Sequence, residues 1–373
     1  MSRGLRLAPL AAMGAIAVLA PASVQAQSSE FPQPRIVGGA SASIATYPWQ
    51  AAVVFSPAKR PGKNEPQREF CGGELITSRI VMTAGHCVAD SDPDCTLSGE
   101  NPVCTVVSDP SPGDGTCKLD PDDVDLILGR SALTDHSQGA EMTVQAVKLG
   151  TSFNGDFQGD GVPRFDAAYL VLSAPSSQTP IKIAGTDEGA LWDAGSPEEI
   201  SGWGSTGVFG SPVNGLRAAT VNVIPDSTCS GDYGSDFDAA TMVCAGFQSG
   251  GVDTCFGDSG GPLEAPLQGG GYRLVGITGW GQGCAAAGSP GVYTRVAGPA
   301  MRSLIASDVS SLETAQGLPQ EGIFGSGGQP GSSSAATGLT AKAKARKKCK
   351  RIRNKQKRHR CMRKAKARTR AAH

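Results

Sequence analysis

The chain has 373 residues, 50 of them glycine and 25 proline, which suits one large all-β domain with appendages as well as two domains. Beyond the N-terminus no stretch is long and apolar enough to cross a bilayer, so we expect no transmembrane segment. The formal net charge is zero, but residues 342–370 hold 17 of the 34 basic residues and no acidic one, whereas residues 36–340 hold 14 basic and 33 acidic residues. A strongly acidic body therefore carries a strongly basic tail.

The N-terminus has the composition of a secretory signal peptide. Arg3 and Arg6 precede an apolar segment over residues 7–24, which ends in Val24-Gln25-Ala26, where small residues flank a cleavage site. Two prolines interrupt the apolar segment and no stop-transfer flank follows it, which argues against a membrane span. We therefore predict a signal peptide over residues 1–26 and a secreted protein whose 11 cysteines form disulfides in an oxidising compartment.

From Trp49 onward the apolar runs are short, rich in β-branched residues, and mostly separated by Gly, Pro, Asp or Ser. Examples of these runs are residues 51–55, 80–83, 167–172 and 274–279. The pattern predicts an antiparallel all-β sandwich or barrel. Helix is expected only near residues 298–306, where Pro299 suits a first helical position.

The C-terminal part of the chain changes composition twice. Residues 309–340 are rich in Gly, Ser, Ala, Gln and Pro and are predicted to be a flexible linker. Residues 341–373 are a basic tail in which Cys349 and Cys361 flank a Lys/Arg-rich run. Three hypotheses stay open for this tail: it binds a polyanion such as an envelope polymer or extracellular nucleic acid, it lies back on the acidic body, or it is a solvated run.

Ser259 lies in a glycine-flanked turn between Asp258 and Gly260. A serine hydroxyl becomes a nucleophile only beside a base and a group that orients the base, so a catalytic role requires both groups elsewhere in the chain. Five separated motifs offer such groups. In chain order they are Ile36-Val-Gly-Gly39 with Tyr47-Pro-Trp-Gln50, Thr83-Ala-Gly-His86-Cys87, Phe165-Asp166-Ala-Ala-Tyr-Leu-Val-Leu172, Asp253-Thr-Cys-Phe-Gly-Asp-Ser-Gly-Gly-Pro262, and Trp280-Gly281 with Pro290-Gly291-Val292-Tyr293.

With these motifs in the order His, Asp, Ser, the region from Ile36 to Ala306 resembles the chymotrypsin/trypsin family of serine endopeptidases. The resemblance implies an all-β fold of two six-stranded antiparallel β-barrels, with the active site in the cleft between them and a short C-terminal helix. It places a protease domain at residues 36–308, with an insertion near residues 89–123. It also implies protein or peptide substrates, a monomer, and neither cofactor nor metal.

The resemblance assigns roles to the motif residues. Ser259 is the expected nucleophile, His86 the general base and acid, and Asp166 the carboxylate that orients the histidine. The backbone N–H groups of Gly257 and Ser259 are expected to form the oxyanion hole. A catalytically silent homologue that acts as a binding module is the alternative, although such proteins usually lose a triad member and this chain keeps all three.

Specificity is expected to depend on Asp253, the floor of the pocket for the side chain that precedes the cleaved bond. A buried carboxylate there attracts a guanidinium or ammonium group, and Gly281 and Gly291 leave room in the pocket walls for a long side chain. The prediction is cleavage after Arg or Lys. The chain departs from the family pattern at Gly279, where a serine is usual, and at Phe256, which is bulkier than usual at the pocket entrance.

The resemblance also implies activation by proteolysis. Residues 27–35 are expected to be a propeptide, and cleavage after Arg35 would free the amino group of Ile36 to pair with the buried carboxylate of Asp258. The intact chain is then an inactive zymogen, and Arg35 is itself a suitable target for self-activation.

Three disulfides are implied by the resemblance: Cys71–Cys87, Cys229–Cys244 and Cys255–Cys284. Where many relatives place a further bridge, this chain has Glu198 and Ala265. The pairing of the remaining cysteines stays open, and these are Cys95, Cys104, Cys117, Cys349 and Cys361.

The insertion near residues 89–123 admits two hypotheses, a disulfide-stapled loop at the rim of the cleft that restricts or recruits substrates, and a surface insertion without a role. Its acidic residues have no calcium-loop spacing, so no metal site is predicted there. We expect the protein to be secreted, with retention at the cell envelope through the basic tail as a further hypothesis.

Overall fold

The computed structural model describes residues 36–89, 118–154, 162–208 and 210–326, together with the backbone of two short strands inside the insertion. Several predictions lie outside the described residues: the signal peptide, the propeptide with Arg35, the linker beyond residue 326, the basic tail, and the side chains of Cys95, Cys104 and Cys117.

The described chain is mostly β-structure. Its strands are β1 (Ala40–Ser41), β2 (Gln50–Phe55), β3 (Glu69–Leu75), β4 (Ile80–Thr83), β5 (Cys95–Thr96), β6 (Val103–Cys104), β7 (Val124–Leu128), β8 (Ala140–Leu149), β9 (Ala168–Leu172), β10 (Lys182–Ile183), β11 (Pro197–Gly202), β12 (Arg217–Ile224), β13 (Met242–Gly246), β14 (Pro262–Pro266), β15 (Tyr272–Trp280) and β16 (Gly291–Thr294). Its α-helices are α1 (Glu65–Arg68), α2 (Gly85–Val88), α3 (Asp226–Tyr233) and α4 (Pro299–Ala315), and short 3-10 helices lie at Pro121–Asp123, Gly189–Trp192 and Gly234–Asp236.

Two antiparallel barrels are built from these strands. The first closes in the order β2-β3-β4-β9-β8-β7. The second runs β12-β11-β14-β15-β16-β13 and closes because β12 also pairs with β13, while β1 and β10 add to its edges. The predicted fold of two six-stranded barrels and a C-terminal helix is confirmed. Within the described residues, no helix is long and apolar enough to span a membrane.

The barrel interiors explain why these segments became strands. Every residue of β7 and of β9 is buried, and both strands consist largely of Val, Leu, Ile and Ala. Branched side chains pack well on a pleated surface, and burial on both faces removes the need for polar alternation. The three disulfides implied by the resemblance are present: Cys71–Cys87, Cys229–Cys244 and Cys255–Cys284.

Helix α4 begins at the predicted Pro299 but continues to Ala315, past the domain boundary expected at residue 308. Val309 and Leu312 lie on its buried face and extend the apolar stripe that Ile305 begins. The flexible linker predicted from residue 309 is therefore wrong for this part, because a few apolar residues spaced along one helix face outweigh the polar composition around them.

The chain after α4 also packs on the body, over residues 316–326, which we call the strap. Ile323 is buried, the Ile183 N–H donates to its carbonyl at 2.9 Å, and the Gly325 N–H donates to the Ile183 carbonyl at 2.7 Å. The Glu321 carboxylate accepts hydrogen bonds from the N–H and hydroxyl of Ser78 in the first barrel. The strap thus joins α4 and β10 to the first barrel.

Three glutamates lie completely buried near the interface of the barrels: Glu74, Glu198 and Glu264. Glu264 accepts a hydrogen bond from the Trp49 indole at 2.9 Å, whereas Glu74 and Glu198 have no hydrogen-bond partner among the described residues. Burial, with a smaller contribution from neighbouring carboxylates, raises the pKa of Glu198 to about 9 and, with Glu199, that of Glu264 to about 8. These side chains are therefore neutral acids at pH 7.

This burial predicts that the protein loses stability as the pH rises. The folded state keeps the Glu198 proton up to about pH 9, whereas the unfolded chain releases it above the ordinary glutamate pKa of 4.5. The contribution of Glu198 to the free energy of unfolding is therefore fully present below pH 4.5 and declines as the pH rises toward 9. The decline per group is at most about 1.4 kcal/mol per pH unit. Thermal unfolding of a Ser259→Ala protein, which cannot digest itself, should occur at a lower temperature at about pH 8 than at about pH 5.5.

Replacing Glu198 with Gln should reduce this pH dependence, whereas Asp193→Asn, at an exposed position, should leave it unchanged. Equal slopes for the Glu198→Gln variant and its parent would show that Glu198 is already ionised in the folded protein.

Candidate active site

The predicted histidine and aspartate lie in the first barrel and hold each other rigidly. His86 is in the single turn of α2 after β4, and Asp166 lies just before β9. The His86 backbone N–H donates to Asp166 Oδ1 at 2.9 Å, and His86 Nδ1 lies 2.7 Å from Oδ2. Because an ionised carboxylate only accepts hydrogen bonds, Nδ1 carries the proton in this pair and Nε2 is the unprotonated ring nitrogen. That is the arrangement a general base requires.

The environment of His86 tunes its basicity. Burial lowers the pKa of His86, but the charge of Asp166 and its hydrogen bond outweigh burial, and the net effect is a raised pKa. Asp166 is 2% exposed, and its own carbonyl accepts a hydrogen bond from the Thr294 hydroxyl of the second barrel at 2.9 Å. A Cβ atom added at Gly279 would lie 3.8 Å from Asp166 Oδ2, so the serine usual at that position would place a hydroxyl beside this carboxylate.

The predicted nucleophile lies in a tight turn of the second barrel, residues 255–261, which we call the serine loop. The Gly72 N–H of β3 donates to the Ser259 carbonyl at 2.8 Å, and the Ser259 carbonyl also contacts the sulfur of Cys87, the residue after His86. Any Cβ atom at Gly260 would collide with Thr83. The loop therefore presses directly on the segment that carries His86.

Three backbone N–H groups of the serine loop have no acceptor among the described residues, that of the exposed Phe256 and two beside Asp258. The N–H groups of Asp258, Gly260 and Gly261 donate to backbone carbonyls, but within the described part of the chain those of Gly257 and Ser259 have no acceptor. Gly257 has a φ of +95°, a conformation that favours glycine. The two residues predicted to form an oxyanion hole thus keep free hydrogen-bond donors.

Asp258 is buried below this loop. Its Oδ1 accepts from the Gly204 N–H at 2.9 Å and its Oδ2 from the Cys255 N–H at 3.0 Å. Burial raises the pKa of Asp258 to about 7 although these two N–H groups oppose the shift. No described cation pairs with it.

Ile36, the predicted partner of Asp258, is completely buried but does not hydrogen-bond to it. Its backbone has a φ of +38°, which is strained for a β-branched residue. The next residue, Val37, pairs with Asp253, whose N–H donates to the Val37 carbonyl at 3.1 Å. The structure thus brings Ile36 into the interior but not into an ion pair.

The predicted pocket residues come together as expected from their motifs. Asp253 is 3% exposed, and its two carboxylate oxygens accept from the N–H groups of Thr254 at 2.9 Å and Ala285 at 3.0 Å. A Cβ atom at Gly291 would lie 2.6 Å from Asp253 Oδ1, and one at Gly281 would lie 3.9 Å from the Gly291 Cα atom. Gly281 and Gly291 therefore lie against each other, and Gly291 lies against the Asp253 carboxylate. Burial raises the pKa of Asp253 to about 6, so this carboxylate is charged at neutral pH.

One site residue was not predicted. Glu69, at the start of β3, is 5% exposed, and a Cβ atom at Gly257 would lie 3.0 Å from its Oε2 atom. No motif surrounds Glu69 in the sequence, and nothing in its neighbours indicates that it reaches the serine loop.

The side chains of Cys71, His86 and Cys87 approach one another closely enough to suggest a metal site. Both sulfurs belong to the Cys71–Cys87 disulfide, however, so neither is available as a thiolate ligand.

Comparison with known proteins gives a consistent result. A family model described as Trypsin matches residues 36–108 and 115–303. The chain is 34% identical over 261 residues to a trypsin of Saccharopolyspora erythraea, covering 70% of this chain and 93% of that protein. It is 31% identical over 315 residues to a trypsin-like protease of Streptomyces glaucescens, covering 84% of this chain and 95% of that protein. It is also 31% identical over 270 residues to trypsin-1 of Astacus astacus, covering 70% and 95%.

The pocket geometry predicts different effects for its two glycines. Gly291→Ala should displace the Asp253 carboxylate because the added methyl would meet it at 2.6 Å, whereas at Gly281 the nearest atom is 3.6 Å away. The dissociation constant of p-aminobenzamidine, measured by its fluorescence, should rise about 100-fold or more in Gly291→Ala and far less in Gly281→Ala. A change of this size is expected when the buried pair between the amidinium and Asp253 is lost. Binding to the parent protein should also weaken as the pH falls below about 6, where Asp253 takes up a proton. Equal losses for the two variants would contradict this geometry.

Proposed function

The chain belongs to the trypsin family of serine endopeptidases, and on that premise we propose that it is made as a zymogen, is activated by cleavage after Arg35, and hydrolyses peptide bonds after arginine or lysine. The observation that carries the proposed specificity is the Asp253 carboxylate, which is buried and charged at neutral pH and has glycine, not a bulky side chain, beside it at 291.

For the reaction we propose that Ser259 is the nucleophile. Its hydroxyl attacks the substrate carbonyl while His86 Nε2 takes up the proton, and the free N–H groups of Gly257 and Ser259 receive the developing oxyanion. The protonated His86, stabilised by Asp166, then passes the proton to the leaving amine, which departs and leaves an acyl-enzyme. A water molecule then attacks the acyl-enzyme with His86 again taking up the proton, and the carboxylic acid product leaves as Ser259 regains its hydroxyl.

The specificity follows from the cost of leaving a buried charge unpaired. An arginine or lysine side chain in the proposed pocket would pair with Asp253. An apolar side chain there would exclude water from the carboxylate without supplying a positive charge or a hydrogen-bond donor. Glycine at 281 and 291 puts no side chain beside Asp253, and the Cys255–Cys284 disulfide joins the serine loop to the segment that follows Gly281.

Two features support activation by cleavage. Asp258 is buried beside the proposed oxyanion donors, no cation among the described residues pairs with it, and burial raises its pKa to about 7. The φ angle of Ile36 is strained at +38°, and this angle is defined by the carbonyl carbon of the preceding residue. Cleavage after Arg35 removes that carbon, which relieves the strain and leaves an ammonium group on a buried residue. A freed Ile36 would thus supply the charge that Asp258 lacks.

Nothing in the described residues favours the alternative of a silent binding module, since the chain keeps His86, Asp166 and Ser259. Secretion also belongs to this proposal, since it depends on the signal peptide predicted over residues 1–26.

We further propose that the basic tail binds polyanions and holds the enzyme at the cell envelope. The support is compositional, 17 basic residues and no acidic one over residues 342–370. The enzyme would also be able to trim its own tail. Since no Lys or Arg lies between Arg302 and Lys342, and the Arg302 side chain is engaged with the Ala184 carbonyl and the Phe324 ring, self-trimming would stop at Lys342.

Activation and specificity can be tested together. The intact chain should not hydrolyse amide substrates, and the protein that begins at Ile36 should cleave arginyl and lysyl amides about 100-fold or more faster than a phenylalanyl amide, the size expected for a buried charged pair. Amino-terminal sequencing identifies the mature start. As the control, Asp253→Ser should lose the preference for arginyl and lysyl amides but keep reactivity toward a fluorophosphonate.

A mature protein that cleaves phenylalanyl and arginyl amides equally would refute the proposed specificity. A purified Ser259→Ala chain that still loses residues 1–35 would refute self-activation.

The tail proposal predicts retention that depends on salt. In the Ser259→Ala background, which prevents trimming, the full chain should be retained on immobilised heparin and released only at raised salt, because bound counterions return to the polyanion as the protein leaves. Deletion of residues 341–373 should abolish that retention. Unchanged retention after the deletion would show that the tail is not the polyanion-binding segment.

A further inference from the structure

Glu69 is an anomaly of the activation region that the proposed mechanism does not use. It begins β3, where it pairs with Val54 of β2, and it is 5% exposed. Neither of its carboxylate oxygens has a hydrogen-bond partner among the described residues. A carboxyl group without partners at such a depth is costly to retain, and far more so when ionised.

Among the described residues, the charged group that faces Glu69 is Asp258 of the serine loop. Its chain neighbour Arg68 is occupied elsewhere, with both terminal guanidinium nitrogens on Glu141 at 2.7 and 2.9 Å. Strand β2, which lies alongside, carries no titratable side chain over Gln50–Phe55. Burial and the neighbouring Asp258 both raise the pKa of Glu69 well above its usual range. These surroundings favour the neutral acid over the carboxylate.

The Glu69 carboxyl also lies directly behind a proposed oxyanion donor. A Cβ atom at Gly257 would meet Glu69 Oε2 at 3.0 Å and Oε1 at 3.3 Å, and would meet the Gly204 Cα atom at 3.0 Å on the other side. Gly257 is therefore held between Gly204 and the Glu69 carboxyl. If Glu69 lost its proton, a second negative charge would stand beside Asp258 with no partner, and the side chain could gain water only by moving away from Gly257.

We propose that Glu69 is a positioning residue for the serine loop, that it acts as a neutral carboxylic acid which holds Gly257 in place, and that loss of its proton withdraws the Gly257 N–H from the oxyanion. The inference rests on the proposed function in one respect, the role of Ser259 as nucleophile. It adds a proton-dependent control of the oxyanion hole that is separate from the charge on Ile36.

The test compares the mature enzyme with Glu69→Gln and Glu69→Met, neither of which can ionise, across neutral to alkaline pH. The measured quantity is the second-order rate at which a fluorophosphonate labels Ser259, because this reaction needs the nucleophile and the oxyanion hole but not the Asp253 pocket. The parent rate should fall at alkaline pH, and the fall should occur about one pH unit or more higher in the variants, a tenfold change in proton affinity. In the parent, kcat for an arginyl amide should fall with the labelling rate while KM stays constant.

Glu198→Gln is the matched control, because Glu198 is equally buried and without partners but lies in β11 and is not in contact with Gly257. It should change the stability and leave the labelling profile at the parent's position. Deprotonation of the Ile36 ammonium is common to all four proteins, so the difference between profiles reports Glu69 alone. The Met variant keeps the test decisive if the Gln variant does not fold.

The proposal is overturned if the labelling rates of the two Glu69 variants show the same pH dependence as the parent. It is also overturned if both variants lose labelling tenfold or more at neutral pH, because Glu69 would then act as a carboxylate. If the parent itself is not labelled, the proposed function fails and this inference fails with it. If the parent is labelled and only the variants disagree, the proposed function stands and this inference alone is wrong.

Discussion

The contact between the serine loop and strand β3 decides whether the two halves of the site meet. His86 and Asp166 belong to one barrel and Ser259 to the other, so no local motif fixes the distance between them. The Gly72 N–H on the Ser259 carbonyl provides the fixed link, and glycine at 260 lets the backbone reach Thr83. Catalytic geometry in this molecule therefore depends on a backbone hydrogen bond and on the absence of a side chain, which is an arrangement that tolerates little repacking.

Most of the fold and the candidate site could be predicted because both are encoded locally. Ser259, His86 and Asp166 each lie in a distinctive short motif, and the paired cysteines follow from the same resemblance. Glu69 could not be found this way, since a glutamate at a strand start normally faces solvent and its burial results from the approach of a loop about 190 positions later, which only the folded chain reveals. The strap was missed for a related reason, because isolated apolar residues such as Ile323 in a Gly/Ser-rich segment carry no periodic signal.

Buried acids are a common thread in the described structure. Asp258 and Asp253 are held in place by backbone N–H groups that soften the cost of burial, whereas Glu69, Glu74 and Glu198 have no such partners. The first kind of site can hold a charged carboxylate, whereas burial without donors favours the neutral acid. The number of N–H donors that contact a buried carboxyl group therefore separates the two kinds of site within one domain.

The strap fixes where the described chain ends relative to the pocket. Its pairing with Ile183 places the last described residues beside the beginning of β15, opposite Arg273 and Leu274, whereas the pocket lies at the other end of that strand, at Trp280. Six strand residues correspond to about 20 Å. Whatever follows Ser326 consequently starts about 20 Å along this strand from the pocket, so the C-terminal extension leaves the folded domain away from the cleft.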